Sequence, residues 1–327
     1  MRTIRKIHFD NAREAQAVTG QRHSGMCDKI QSVFAVRVTS RDDWVEIEGE
    51  KASVEKTEDF LEAMRRARGN GVLLHAHELR YALCAYEDGR GHELRLLTEG
   101  RVNVYKGKPP VFPRTFGQQR YLKAIRENDL VFGIGPAGTG KTYLAMAMAV
   151  SCLLADEVGR IILTRPAIEA GEELGYLPGD MHAKVMPYLR PLYDAMYDMM
   201  PPEQVERCLD RGIIEVAPLA YMRGRTLNHS FVILDEAQNS TQEQMFMFLT
   251  RLGFDSKCVI TGDLTQIDLP VTKHSGLMEA RKTLEKIHGI GFSFLDDSDV
   301  VRHELVRKII KAYRKGRCVQ RPVNSGN

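Results

Sequence analysis

The stretch Leu130-Val-Phe-Gly-Ile134 followed by Gly135-Pro136-Ala137-Gly138-Thr139-Gly140-Lys141-Thr142 decides the fold. A short apolar run enters the pattern G-x-x-x-x-G-K-[ST], and the helix-forming run Tyr143–Leu154 leaves it. That is the strand–loop–helix context a phosphate-cradling P-loop requires. Glycines let backbone N–H groups close around phosphate oxygens. Lys141 reaches the β and γ phosphates, and the Thr142 hydroxyl is placed to ligate Mg²⁺. The positive end of the helix adds to the anion site. Gly135, Pro136, Ala137, Gly138, Thr139, Gly140, Lys141 and Thr142 are therefore the candidate nucleotide-binding set, with Lys141 also catalytic and ATP with Mg²⁺ the expected cofactors.

Outward from this loop, further apolar runs alternate with helical stretches: Arg160–Thr164, Ile213–Val216, Phe231–Leu234, Lys257–Thr261 and Gly291–Leu295. The alternation predicts an α/β domain whose parallel sheet is flanked by helices. Ligands of such sheets bind at the C-terminal strand ends, and the remaining motifs fall there. Phe231-Val-Ile-Leu-Asp235-Glu236-Ala-Gln238 is an apolar strand ending in two carboxylates. Such a pair needs a cation to offset its desolvation. Asp235 would hold Mg²⁺ through water, and Glu236 would orient or deprotonate the attacking water. Val259-Ile-Thr261-Gly262-Asp263-Leu-Thr-Gln266 is similar to the G-D-x-x-Q element of superfamily 1 helicases, where the glutamine contacts the γ-phosphate. Thr115-Phe-Gly-Gln118-Gln119 precedes the loop. Thr115 can cap a helix over Gln118–Glu127, and Gln118, or its neighbour Gln119, resembles the helicase Q-motif glutamine that bonds adenine. Asp299-Val-Val-Arg302-His303 opens a last helix over Glu304–Arg314, where Arg302 resembles the motif VI arginine that stabilises transferred-phosphoryl charge.

The chain of 327 residues accommodates one large and one small domain. Over residues 1–70 the order β-α-α-β-β-α is that of a KH-like RNA-binding module. Strands are expected over Thr3–Phe9, Val33–Val38 and Trp44–Glu48, and helices over Asn11–Thr19, Met26–Gln31 and Lys51–Arg68. Its loop Gly20-Gln-Arg-His-Ser-Gly25 is two residues longer than the G-x-x-G clamp, although Arg22 and His23 can still meet phosphate. Residues 71–114 read as a connecting region ending in a Pro-rich linker, 115–318 as the ATPase domain and 319–327 as a flexible basic tail. Net charge is +3, but residues 1–41 carry +5 and residues 302–327 carry +7, which leaves −9 between them. Basic ends on an acidic body predict polyanion contact.

No apolar run approaches the roughly 18 residues of a membrane span, and Met1–Phe9 is basic without an apolar stretch behind it. Six cysteines without a C-x-x-C pair read as reduced thiols. The expected location is cytoplasmic, without membrane contact.

Further stretches carry a family resemblance. They are Thr164-Arg165-Pro166-Ala-Ile-Glu169-Ala-Gly171-Glu172, Leu174-Gly-Tyr-Leu-Pro-Gly-Asp180 and Pro187-Tyr-Leu-Arg190-Pro-Leu-Tyr-Asp194. Pro218-Leu-Ala-Tyr-Met-Arg-Gly-Arg225-Thr226, Leu234-Asp-Glu-Ala-Gln-Asn239 and Thr261-Gly-Asp-Leu-Thr-Gln-Ile-Asp-Leu-Pro270 complete the set. Together they resemble the PhoH family of P-loop ATPases from about Arg114 to Arg314. The resemblance implies a RecA-like core related to superfamily 1 helicases and an RNA-linked role, ribosomal RNA included, beside a metal-dependent endoribonuclease. ATP hydrolysis coupled to RNA or ribonucleoprotein remodelling, with RNA helicase activity, is the expected function. A non-hydrolysing ATP-gated RNA-binding adaptor and a DNA helicase stay open. The last predicted strand ends near Leu295, and residues 296–327 are too few for a second RecA-like domain. A homo-oligomer, as a hexameric ring, is expected to supply the finger in trans, from Arg302 first and Arg165, Arg223 or Arg225 otherwise.

Overall fold

The structure is a computed structural model that describes residues 2–20, 25–72, 74, 76–91, 100–166, 181–270, 272–301, 306 and 309. Arg22 and His23, the family stretch 167–180, Arg302 and the tail 319–327 lie outside the described residues.

The first unit follows the expected order: β1 (Arg2–His8), α1 (Ala12–Thr19), α2 (Met26–Phe34), β2 (Arg37–Arg41), β3 (Trp44–Glu50) and α3 (Lys51–Gly69). Its sheet is antiparallel, ordered β1-β3-β2, with Ile7 opposite Val45 and Val38 opposite Ile47. Those apolar positions face the helices, as period-two alternation requires. Asn11 caps α1 by accepting a hydrogen bond from Glu14 N at 3.0 Å.

α2 runs past the predicted Gln31 to Phe34, so Val33 is helical and the strand starts later. Met26, Ile30 and Phe34 recur at helical spacing and are all buried, and this stripe overrides the β-propensity of the valines. α4 (Ala76–Glu87) adds Leu79, Ala82, Leu83 and Ala85 to the same core. The expected connecting region therefore supplies part of the N-terminal core. The Pro-rich stretch is also tied down: Val102 and Val111 exchange backbone hydrogen bonds of 2.8 and 2.9 Å. Val102, Val104 and Val111 are buried in the core of the second unit.

The second unit contains α5 (Phe116–Glu127), β4 (Leu130–Ile134), α6 (Lys141–Leu154), β5 (Arg160–Arg165), α7 (Met181–Met199) and α8 (Pro202–Asp210). It continues with β6 (Ile214–Pro218), β7 (Ser230–Leu234), α9 (Gln242–Leu249), β8 (Lys257–Gly262), α10 (Gly276–Leu284) and β9 (Ile290–Phe294). All six predicted strands form one parallel sheet ordered β6-β5-β7-β8-β4-β9. It is a RecA-like P-loop arrangement. Every residue of β4 and β7 is buried, since helices cover both faces.

The order positions the site. β8 lies between β7 and β4, so the three strands that carry motifs end side by side. No described helix is long and apolar enough to cross a membrane.

Candidate active site

β4 ends at Ile134 and the loop Gly135–Gly140 folds over its C-terminal end. Gly138 and Gly140 take φ of +86° and +79°, a region that favours glycine. Gly135 N donates to Gly262 O at 3.1 Å, which fastens the loop to β8. The Lys141 Nζ lies 2.6 Å from Gly135 O and 2.9 Å from Pro136 O. The ammonium head thus sits within the loop, where an approaching polyphosphate would meet it.

The Thr142 Oγ1 donates to Asp235 Oδ1 at 2.6 Å, and Thr261 Oγ1 donates to the same oxygen at 2.6 Å. The two hydroxyl oxygens are 3.4 Å apart. Hydroxyl and carboxylate oxygens are hard donors of the kind Mg²⁺ takes beside phosphate and water. Among the described residues no cluster of three His, Cys, Asp or Glu offers another metal site. The residues present fit a magnesium nucleotide, with Thr142 and Asp235 as the donors the sequence predicts. Thr261 is an addition that became visible only when β8 was placed beside β7. Below them Tyr121 is fully buried, and burial together with the Asp235 charge pushes its phenol well above the ordinary range. A Cβ at Gly133 would come within 2.6 Å of its ring.

Glu236 follows at φ +53°, in the left-handed region. Its Oε1 lies 3.2 Å from a guanidinium nitrogen of Arg165 at the end of β5, and its Oε2 accepts from Gln238 Nε2 at 2.6 Å. The Gln238 amide is buried and also donates to Gln266 O at 3.2 Å, while its Oε1 accepts from Asp263 N at 3.0 Å. This glutamine joins the second and third motifs, a role without a distinct signal in the sequence.

Asp263 organises the third motif. Its Oδ2 accepts from Ala137 N at 3.1 Å and from Gln266 Nε2 at 2.6 Å. Its Oδ1 accepts from Thr265 N at 2.9 Å and Thr265 Oγ1 at 2.6 Å. Burial pushes its carboxyl up, but the hydrogen bonds from Thr265 and Gln266 and the charge of Lys141 more than offset this and hold it below the ordinary range. Gln266 therefore stands beside the loop and is held by Asp263. A cleft of about 250 Å³ is bounded by Lys141, Thr142, Asp235, Glu236, Asp263 and Gln266.

Gln118 and the alternate finger arginines stand apart from this set. Gln118 is only 4% exposed: its Oε1 accepts from Arg114 N at 2.7 Å and its Nε2 donates to Thr139 O at 3.0 Å. With both amide ends engaged inside the chain, it braces the loop. Thr115 caps α5 as predicted, accepting from Gln118 N at 3.1 Å. Among the alternate finger arginines, Arg165 pairs with Glu236 and Arg225 grips both oxygens of Glu215 at 2.5 and 2.7 Å, whereas Arg223 is exposed on a turn.

The family model for PhoH-like proteins matches residues 110–314, from just before α5 to beyond β9. The chain belongs to the PhoH family. A PhoH-like protein of Bacillus subtilis (strain 168) is 46% identical over 305 residues, covering 93% of this chain and 95% of that relative. A PhoH-like protein of Mycobacterium leprae (strain TN) is 53% identical over 286 residues, 87% of this chain and 81% of its own. The protein PhoH of Escherichia coli (strain K12) is 44% identical over 216 residues, 65% and 61% of the two chains. The PhoH match encloses the loop, both carboxylates and the third motif. Most of the N-terminal unit lies outside the PhoH family model, but the Bacillus relative aligns over too much of the chain to exclude it.

Proposed function

We propose that this PhoH-family chain is an Mg²⁺-dependent ATPase that hydrolyses the γ-phosphate of ATP and couples that step to remodelling of RNA or ribonucleoprotein. The reading is carried by one observation: Lys141, the Thr142–Asp235 pair, Glu236 and Gln266 converge on a single cleft at three adjacent strand ends. Bound Mg²⁺ would neutralise charge on the β and γ phosphates. Lys141 and the loop amides bind and orient the polyphosphate. Glu236 orients water and accepts its proton at a carboxylate oxygen, and Gln266 reads the presence of the γ-phosphate. Its bond to Asp263 Oδ2, the oxygen that also accepts from Ala137 N, passes that state to the loop.

The RNA role draws on the basic N-terminal segment and the β-α-α-β-β-α unit. The remaining parts of the proposal are a cytoplasmic location, a metal-dependent endoribonuclease as partner and a hexameric ring. In that ring Arg302 or the exposed Arg223 completes a neighbour's site. A second reading, the ATP-gated adaptor that does not hydrolyse, is favoured by the engagement of both Glu236 oxygens.

Glu236→Gln separates the two readings. For the enzyme, the variant binds ATP as the wild type does and hydrolyses it at least about 10²-fold more slowly, the size of a general-base effect. A wild-type chain that binds ATP without turnover at any RNA concentration rejects the enzyme and leaves the adaptor.

A further inference from the structure

α4 of the N-terminal unit meets the start of α5 through a short, closely fitted segment. The Tyr81 Oη accepts a hydrogen bond from Phe116 N at 2.8 Å, and the two rings lie 5.4 Å apart. Phe116 is the first residue of α5, yet its ring is buried in the N-terminal core at 2% exposure. Arg90 stands 5.4 Å over that ring, and Glu78 pairs with Arg114 at 3.6 Å. The second unit thus plugs its first helical residue into the first unit.

The same turn holds the phosphate loop. Gly117 N donates to Asp299 Oδ1 at 3.2 Å, and Val301 N, two residues past Asp299, donates to Gly138 O at 3.0 Å. Gln118 spans from Arg114 N to Thr139 O. The fit has no slack on the loop side: a Cβ at Gly140 would lie 3.1 Å from Gln118 Nε2. Packed interiors transmit displacement rather than absorb it. A shift of Phe116 therefore reaches Thr139 through two residues of one helical turn.

We propose that Tyr81 is a positioning residue for the phosphate-binding loop, acting through Phe116 and Gln118, so that the N-terminal unit and the nucleotide site are energetically coupled. The proposal rests on the nucleotide-binding reading of the cleft. Coupling of this kind is reciprocal. Nucleotide held by the loop changes the stability of α4, and whatever stabilises α4 in that position changes nucleotide affinity by the same factor.

The test is hydrogen exchange on the full chain, with and without a non-hydrolysable Mg-ATP analogue, in the wild type and in Tyr81→Phe. That variant keeps the ring and removes only the acceptor of Phe116 N. In the wild type the analogue slows exchange over residues 135–145 and also over Leu79–Glu87. In Tyr81→Phe the loop response persists, the α4 response falls by at least about half, and the analogue's Kd rises about two- to tenfold, the worth of one hydrogen bond. Glu78→Gln, which weakens the Arg114 pair, moves both readouts in the same direction and serves if Tyr81→Phe folds poorly. A merely structural contact would lower the melting temperature and leave the α4 response to nucleotide intact. Loop protection without any α4 response in the wild type overturns the coupling alone. Absence of protection at the loop overturns the nucleotide reading, and the coupling falls with it.

Discussion

Asp263→Asn probes the residue on which the third motif turns. Both carboxylate oxygens are used, each by one backbone N–H and one side-chain donor. An amide keeps one oxygen and presents an NH₂ at the other position. Whichever way it sits, one backbone donor, Ala137 N or Thr265 N, faces another donor. Ala137 and Thr265 are exposed residues, so a stranded donor there costs about 1 kcal/mol, and losing charge assistance at the remaining contacts removes about 1 kcal/mol more. The expected loss is about 2 kcal/mol. For a unit of about 200 residues that lowers Tm by roughly 4–8 °C. The assay is a thermal melt of the full chain over a range of pH.

The pH dependence gives the sign. The folded carboxyl titrates below its ordinary value of 3.8, so its contribution to stability is complete above the unfolded value near 4 and is lost as pH falls through the folded one. The gap between wild type and variant should hold from pH 7 to about pH 5 and close below about pH 4. A Tm within about 2 °C of wild type at neutral pH would refute the reasoning, as would a gap that widens on acidification.

RNA affinity should fall steeply with salt, because Lys and Arg contacts release counterions. Deleting residues 1–91, the N-terminal unit with α4, should weaken that affinity, and a filter-binding titration in which neither change matters removes the RNA role of the N-terminal unit. Arg302→Ala and Lys141→Ala subunits should each be inactive alone and partly recover ATPase activity when mixed, if the finger acts in trans. Mixtures that stay inactive at every ratio reject the shared site.

The sequence alone determined the core architecture and most of the residues that line the cleft. Its six apolar runs each became a strand of one parallel sheet, because a strand covered on both faces must be continuously apolar. Lys141, Thr142, Asp235, Glu236 and Gln266 were legible because their chemistry depends on spacing along the chain next to a strand end, and local sequence specifies that spacing. The early N-terminal boundaries were less legible. Val33 carries a strand propensity, and only the buried Met26–Ile30–Phe34 stripe made it helical.

Tertiary structure alone decided which residues support those groups. Thr261 joins the Thr142–Asp235 pair, and Gln238 reaches Gln266 and Asp263, because β8 lies beside β7. Strand order in space is not written in chain order. Gln118 was an adenine candidate by position and a brace by burial, since the partners of its two amide ends lie 4 and 21 residues away and are brought together only by packing. Arg165 could be a finger or a clamp by residue type. Its 3.2 Å contact with Glu236 depends on β5 pairing with β7, a long-range choice made by the folded sheet.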